Sequence, residues 1–224
     1  MKRIKKIIFL FVSILTIINC SLAKETEGYK QEAELKAKNN LTFRAKKTNL
    51  WLNKSLELTK DKDDTVEISL PGELYSLPKK ISDVTKDAVD RSTLEGAVAS
   101  IYSANEKGDV RWIVDNFVDE EKDEIKKVFK DKPVLKDSKL DANNIVSKYI
   151  TGHANYKDYT IIFIEQEYKS GRKIVEALPC IETSNGWKTT NALLRDTTFD
   201  VVFAAVADGE VFDNKKLEAK VDKK

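Results

Sequence analysis

Apolar residues along this chain recur with several different periods, and the points where the period changes divide it. Ile7 to Ile18 is an almost unbroken apolar run behind a positive head of Lys2, Arg3, Lys5 and Lys6. A run of about a dozen residues matches the core of a secretory leader and falls short of the ~20 residues that a spanning helix needs. Residues 24 to 40 are dense in Lys, Glu and Gln, a composition that suits a tether or a frayed helix. Looser alternation at Leu41, Phe43, Leu50, Leu52, Leu56 and Leu58 predicts one or two strands. Val66 to Leu70 alternates cleanly as a half-buried strand, which Pro71-Gly72 is expected to end. The polar stretch from Pro78 to Asp90 reads as a linker and places a boundary near residue 85.

The period then becomes helical. Ser92-Thr93-Leu94-Glu95 fits a capping box, with Ser92 accepting from the first amides and Glu95 reaching back. Leu94, Val98, Ile101 and Tyr102 follow at helical spacing, and Gly108 is the expected stop. Asp109 caps a second, short helix with Val110, Ile113, Val114 and Phe117 on one face and Trp112 beside it. Asp119 to Lys130 predicts a third, acids first and lysines last as the helix dipole prefers, with Pro133 ending it.

After Asn143 the period is two. Ile145 to Ala154 predicts a first strand. Tyr159 to Ile164 predicts a second that is apolar on both faces, so it should lie centrally and be covered on each side. Lys169 to Arg172 turns the chain into a third strand, Lys173 to Thr183, and Asn185-Gly186 turns it into a fourth, Trp187 to Leu193. Asp196 can cap a helix through Phe199, Val202, Phe203 and Val206 to Asp208-Gly209; a strand through Phe199 to Ala205 is the alternative. The expected fold class is α+β: N-terminal helices packed on a curved antiparallel meander, with a small N-terminal β or irregular extension. The expected division is a leader at 1–23, a tether and extension at 24–85, the main domain at 86–213 and a Lys-rich tail at 214–224.

Charge changes the picture once the leader is set aside. The chain has 39 Lys and Arg against 37 Asp and Glu, and four of the cations lie in the leader, so the remainder carries a net charge of −2. With no basic run interleaved with aromatics, nucleic acid is not an expected partner. Two processing sites overlap. Ser21-Leu22-Ala23 sets small residues before Lys24 as a signal peptidase requires, whereas Ile17-Ile18-Asn19-Cys20 resembles a bacterial lipobox, departing from it at Asn19. The second route would lipidate Cys20 and tether the protein to a membrane without a spanning helix. Intact mass of the mature chain separates the two. Either way Cys180 is left alone, and its place between Pro179 and Ile181 in an apolar stretch marks it as a core residue.

Candidate chemistry is sparse. His153 is the only histidine, so a nucleophile–histidine device or a zinc site has little to draw on, and neither a metal nor a cofactor is expected. No glycine-rich phosphate loop is present. Asp115, Glu165, Glu167 or Glu176 could pair with Tyr102 or Tyr149 as an acid–tyrosine arrangement; solvated strand-face charges neutralised by Lys148, Lys173 and Lys188 are the simpler account. Trp112, Trp187 and Tyr149 are the candidate residues for a ligand or partner, because a large apolar body with one polar handle suits recognition. Core packing is the competing role for both tryptophans. Trp51 is expected to pin the N-terminal segment to the main domain.

The order of helices, a Gly108-Asp109-led short helix with Trp112, Ile113 and Phe117, then Tyr159 to Phe163 and Asn185-Gly186-Trp187, resembles the nuclear-transport-factor-2-like, or cystatin-like, cone fold. The likeness covers residues 90 to 195. It implies a curved sheet wrapped on helices, a cavity at the wide end, and an open sheet face through which two copies can pair. That fold hosts enzymes, ligand binders and interaction modules, so it assigns no activity. The expected function is that of an exported envelope protein, periplasmic or lipid-anchored and non-enzymatic, binding a protein partner or a small hydrophobic ligand. The alternatives are an isomerase- or hydrolase-type enzyme using a cavity carboxylate, and an inhibitor or immunity-type module.

Overall fold

The computed structural model describes residues 40–52 and 64–214. The leader, Cys20, the tether to residue 39, Leu56, Leu58 and the tail after residue 214 lie outside the described residues. Two strands come first, β1 (Asn40–Lys46) and β2 (Thr65–Lys80), followed by four helices: α1 (Leu94–Lys107), α2 (Val110–Asp115), α3 (Lys122–Phe129) and α4 (Lys132–Ala142). A meander of β3 (Ile145–Tyr156), β4 (Tyr159–Tyr168), β5 (Lys173–Thr183) and β6 (Gly186–Thr189) leads to α5 (Thr197–Asp208) and a short β7 (Val211–Asp213). The strands form one curved, unclosed antiparallel sheet in the order β6-β5-β4-β3-β2-β1-β7. The fold is α+β. The sheet runs across the boundary expected near residue 85, since β2 and β3 are neighbours in it.

β4 is an interior strand, third of the seven, and its alternate side chains enter two separate cores. Ile162 and Ile164 face α1, α2 and α3 together with Val98, Ile113 and Ile125. Ile161 and Phe163 face α5 together with Leu41, Phe43, Phe199 and Val202. All four of these β4 residues are at most 2% exposed, which is why the strand is apolar on both faces. The face turned away from α1–α4, through which the cone likeness implies pairing of two copies, is thus covered in part by α5.

Several local expectations are corrected. β2 continues through Pro71-Gly72. Pro71 makes the last pair with β1, and the first pair with β3 is at Gly72, so the missing N–H falls where one ladder hands over to the next. Gly72 is needed there because a Cβ would lie 2.4 Å from the carbonyl oxygen of His153. Further along, β2 bulges between Leu74 and Lys79, and this takes up Pro78. The cap of α1 is Thr93, whose hydroxyl accepts from the Gly96 amide at 3.1 Å; Ser92 bonds Asp90 instead, and Glu95 pairs with Lys79 at 2.6 Å. The third helix is a 3-10 turn at Asp119–Glu121 leading into α3.

Pro133 does not close the helical region but opens α4. In the first turn its missing N–H would have had no intrahelical partner, and its fixed φ suits the start. Ser138 of α4 then donates to Asn105 Oδ1 of α1 at 2.6 Å and docks one helix on the other. β6 ends at Thr189, sooner than the expected Leu193, and β7 was not anticipated.

Other signals hold. Asp109 accepts from the Trp112 amide at 3.0 Å. Gly186 turns the β5–β6 hairpin at φ 88°, where a Cβ would meet the Arg91 carbonyl oxygen at 2.3 Å. Of the two alternatives after Asp196, the helix is the one adopted. Asp196 accepts from the amides of Thr198 and Phe199 at 2.8 and 3.2 Å, and Gly209 closes α5 in the left-handed conformation. Asp196→Ala is therefore expected to lower stability by about 1 kcal/mol, read from the urea midpoint. Trp51 packs 4.8 Å from the Phe203 ring, and buried Asp200 accepts from the amides of Trp51 and Leu52, so the segment after β1 is held to α5.

Candidate functional site

One face of β4 changes character along its length. Period two aligns Ile162, Ile164, Gln166 and Tyr168, so the strand that is apolar at its centre becomes polar at its far end without leaving the interior. Gln166 and Tyr168 are 4% and 6% exposed. From β5, Glu176 sits opposite Ile164 on the same face. From α1, Tyr102 points at the sheet, and from the last turn of α4, Asp141 closes the group.

The five side chains form a continuous hydrogen-bonded set. Tyr102 Oη donates to Glu176 Oε1, and Gln166 Nε2 donates to Tyr102 Oη at 2.8 Å. Tyr168 Oη lies 3.0 Å from Gln166 Oε1 and 3.2 Å from Asp141 Oδ2. Lys148 Nζ stands 5.7 Å from the Tyr102 ring centroid and the Arg172 guanidinium 4.8 Å from that of Tyr168.

Burial dominates the electrostatics. It pushes the Glu176 carboxyl up to about 7; the Tyr102 and Gln166 hydrogen bonds oppose this, and the nearby Asp141 charge reinforces it. Burial also raises Asp141, against the pull of its Tyr168 hydrogen bond and of Arg172. Tyr102 and Tyr168 are driven upward by burial and by the neighbouring carboxyls, so both stay neutral donors. Glu176 and Tyr102 keep some surface as residues, but their polar ends are turned into the set. A carboxyl near 7 has the right proton affinity for general acid or base work. It lines neither the groove beyond α4 nor the cavity beside α5.

Two cavities lie elsewhere. A groove of about 290 Å³ opens beyond the end of α4, lined by Lys80, Ile81, Asp83, Glu106, Val146 and Lys148 among others. Lys148 separates it from the buried set: its Nζ donates to Asp83 Oδ1 at 2.7 Å and stands over the Tyr102 ring. Val146, 57% exposed, lines this groove, and Leu140, 59% exposed, belongs to the last turn of α4, just before it. Leu77, 83% exposed, stands out on the β2 bulge. The second cavity, about 180 Å³, lies between β2 and the start of α5 and is lined by Leu50, Val66, Ile68, Thr197, Asp200 and Val201 among others. Glu176 and Asp141 line neither.

The three candidate recognition residues are not brought together. Trp112 is 3% exposed in the core beneath α1 and donates its indole N–H to Ser100 Oγ at 2.8 Å. Trp187 is half-buried on β6 and packs on the same core. Tyr149 is half-buried on β3, on the face opposite Lys148. His153 is half-buried, its Nδ1 lies 3.2 Å from Tyr75 Oη, and burial lowers its proton affinity. Cys180 is fully buried, and burial pushes its thiol up.

Of the acids weighed from sequence, Glu165 pairs with Lys173 at 2.9 Å, Glu167 accepts from Ser147 at 3.3 Å, and the backbone carbonyl of Asp115 accepts from Lys188 at 2.5 Å. Only Glu176 meets a tyrosine, and it meets Tyr102. Gln166, Tyr168 and Asp141 were missed. The register 162, 164, 166, 168 was the available signal, since a polar pair continues a buried row. Among the described residues, no three metal-ligating side chains converge, and no helix is long and apolar enough to cross a membrane.

Comparison with protein-family models, curated proteins and solved structures finds no match.

Proposed function

We propose that this chain is an exported, non-enzymatic interaction module of the bacterial cell envelope, and that it binds a protein partner at the groove beyond α4. The observation that carries this reading is a charged groove whose lining includes an exposed apolar side chain, Val146. Val146 offers an apolar anchor in the groove and Leu140 is a second exposed apolar side chain, in the last turn of α4, while Lys80, Asp83, Glu106 and Lys148 supply a polar lining of both signs. Protein interfaces combine apolar anchors with charged and polar groups around them. A small hydrophobic ligand fits less well: the apolar cavity beside α5, at about 180 Å³, is below the ~300 Å³ at which ligand pockets begin.

The helix-then-meander order of residues 94–189 supports assigning the fold to the nuclear-transport-factor-2-like group. The basic head and apolar run at residues 2–18 support export, by peptidase cleavage after Ala23 or by lipidation of Cys20. An inhibitor or immunity role differs from this reading only in the identity of the partner. Pairing of two copies through the sheet face is not part of the proposal, because α5 lies over it.

An enzyme using Glu176 is the competing reading, favoured by the one carboxyl whose proton affinity lies near neutrality. Against it stands the enclosure of that carboxyl among Tyr102, Gln166 and Tyr168, away from both cavities. General catalysis needs the group within hydrogen-bond reach of a substrate.

A photo-crosslinking residue placed at position 146 tests the interaction, with one at exposed Asn185, beyond the far end of β5, as control. Position 146 is expected to capture one partner that position 185 does not. Leu140→Glu should reduce that capture about tenfold or more, as loss of ~1.4 kcal/mol of contact would. Equal capture from both positions, or none lost with Leu140→Glu, overturns the assignment.

A further inference from the structure

Asp141, Tyr168, Gln166, Tyr102 and Glu176 form a line joined by four contacts, and the Gln166 amide also hydrogen-bonds Glu176 directly. Its hydrogens can be counted. Along the line each tyrosine hydroxyl brings one, and the Gln166 amide brings one toward its tyrosine neighbour, its second being turned to Glu176. With both carboxyls ionised, three hydrogens serve four contacts. Tyr168 then faces two acceptors, Gln166 Oε1 at 3.0 Å and Asp141 Oδ2 at 3.2 Å, with a single hydrogen to give.

A fourth hydrogen completes the line and has two places to sit. On Asp141 it donates to Tyr168, Tyr168 donates to Gln166 Oε1, Gln166 Nε2 donates to Tyr102, and Tyr102 donates to ionised Glu176. On Glu176 it donates to Tyr102, Tyr102 donates to Gln166 Oε1, Gln166 Nε2 donates to Tyr168, and Tyr168 donates to ionised Asp141. The second arrangement requires that the Gln166 amide turn over, exchanging two groups of nearly equal size, and it gives up the amide's own hydrogen bond to Glu176. A fifth hydrogen would set two donors against each other beside Gln166.

We infer that Asp141 and Glu176 hold one proton in common along the Tyr102–Gln166–Tyr168 line, and that this shared proton latches α1 and α4 onto β4 and β5. The charged and titratable groups facing the line from each packed element agree with this. α1 contributes Tyr102, α4 contributes Asp141, and β4 and β5 contribute Tyr168 and Glu176. The nearby cations, Lys148 of β3 and Arg172 of the hairpin turn, stand over the tyrosine rings, and Lys148 is bonded to Asp83. Both carboxyls are raised by burial, and the Asp141 charge raises Glu176 further. Loss of the shared proton leaves two negative charges and one contact too many for the hydrogens available, so the latch loosens as pH rises.

Carbon-13 resonances of the two carboxyls, followed against pH in the wild-type protein, test the inference. Both are expected to move in the same pH interval, each through part of its full excursion, with the Gln166 side-chain amide shifting alongside. In Asp141→Asn or Glu176→Gln the new amide supplies the fourth hydrogen permanently. The remaining carboxyl should then titrate lower by at least about one pH unit, a tenfold loss of proton affinity. One carboxyl ionised throughout while the other titrates alone in the wild type overturns the inference, whether or not the variants fold.

Discussion

Glu176→Gln is expected to make the protein more stable at pH 8, by as much as about 3 kcal/mol, and to leave it little changed at pH 4. Glu176 titrates near 7 in the folded chain against a usual 4.5. A carboxyl raised by folding binds its proton more tightly in the native state. Its contribution to stability is therefore fully present below pH 4.5, is lost as pH rises from there, and is gone above about 7. At ~1.4 kcal/mol per pH unit the loss is about 3 kcal/mol. Glutamine keeps the shape and the ability to donate to Tyr102 but cannot ionise, so the variant escapes the loss. Urea unfolding of both proteins at pH 4 and pH 8 checks this. An equal decline with pH in the two proteins would mean that the carboxyl is hydrated in the folded state.

Phe163→Ala is expected to cost about 3–5 kcal/mol and Ile162→Ala about 2–5 kcal/mol. The two side chains leave β4 in opposite directions. Phe163, 2% exposed, packs edge-on to Phe43 with ring centroids 5.8 Å apart, beneath α5. Ile162, fully buried, packs under α1–α3. Each truncation opens a cavity in a different core, and because the cores lie on opposite faces the two costs should be close to additive. Denaturant midpoints of the single and double variants measure all three values. A cost below ~1 kcal/mol for either single variant would show that one face of β4 is wet, and the two-layered architecture would fail with it.

The interior position of β4 is legible in its residues, because four consecutive apolar side chains in a strand leave no face for water. What covers each face is not. Asp196 and Gly209 allow a helix at 197–208, with a strand as the alternative, but a helix cap carries no information about where the helix docks. α4 is hidden by Pro133, because proline ends helices when it lies inside them and starts them when it lies in the first turn. The sequence alone does not say which. Pro71-Gly72 misleads in the same way, since a turn pair and a ladder handover use the same two residues.

The candidate site divides along the same line. Tyr102 and Glu176 are recognisable as a phenol and an acid on core-facing positions, and Trp112, Trp187 and Tyr149 as aromatics with a polar handle. Their separation in the chain says nothing of their meeting. Trp112 and Trp187 both enter the helical core, and Tyr149 takes the other face of β3. Leu77, Leu140 and Val146, core residues by type, are left at the surface by a bulge and by the end of α4.

Local periodicity, caps and turn residues determined the α+β class and the strand meander and narrowed residues 197–208 to a helix or a strand, because each depends on neighbours a few positions away. The tertiary structure decided the rest: the docking of α5 on the second sheet face, the line from Asp141 to Glu176, and the groove beside Val146. Those depend on contacts between residues tens of positions apart. Their free energy comes from burial and desolvation, which exist only once the layers have closed.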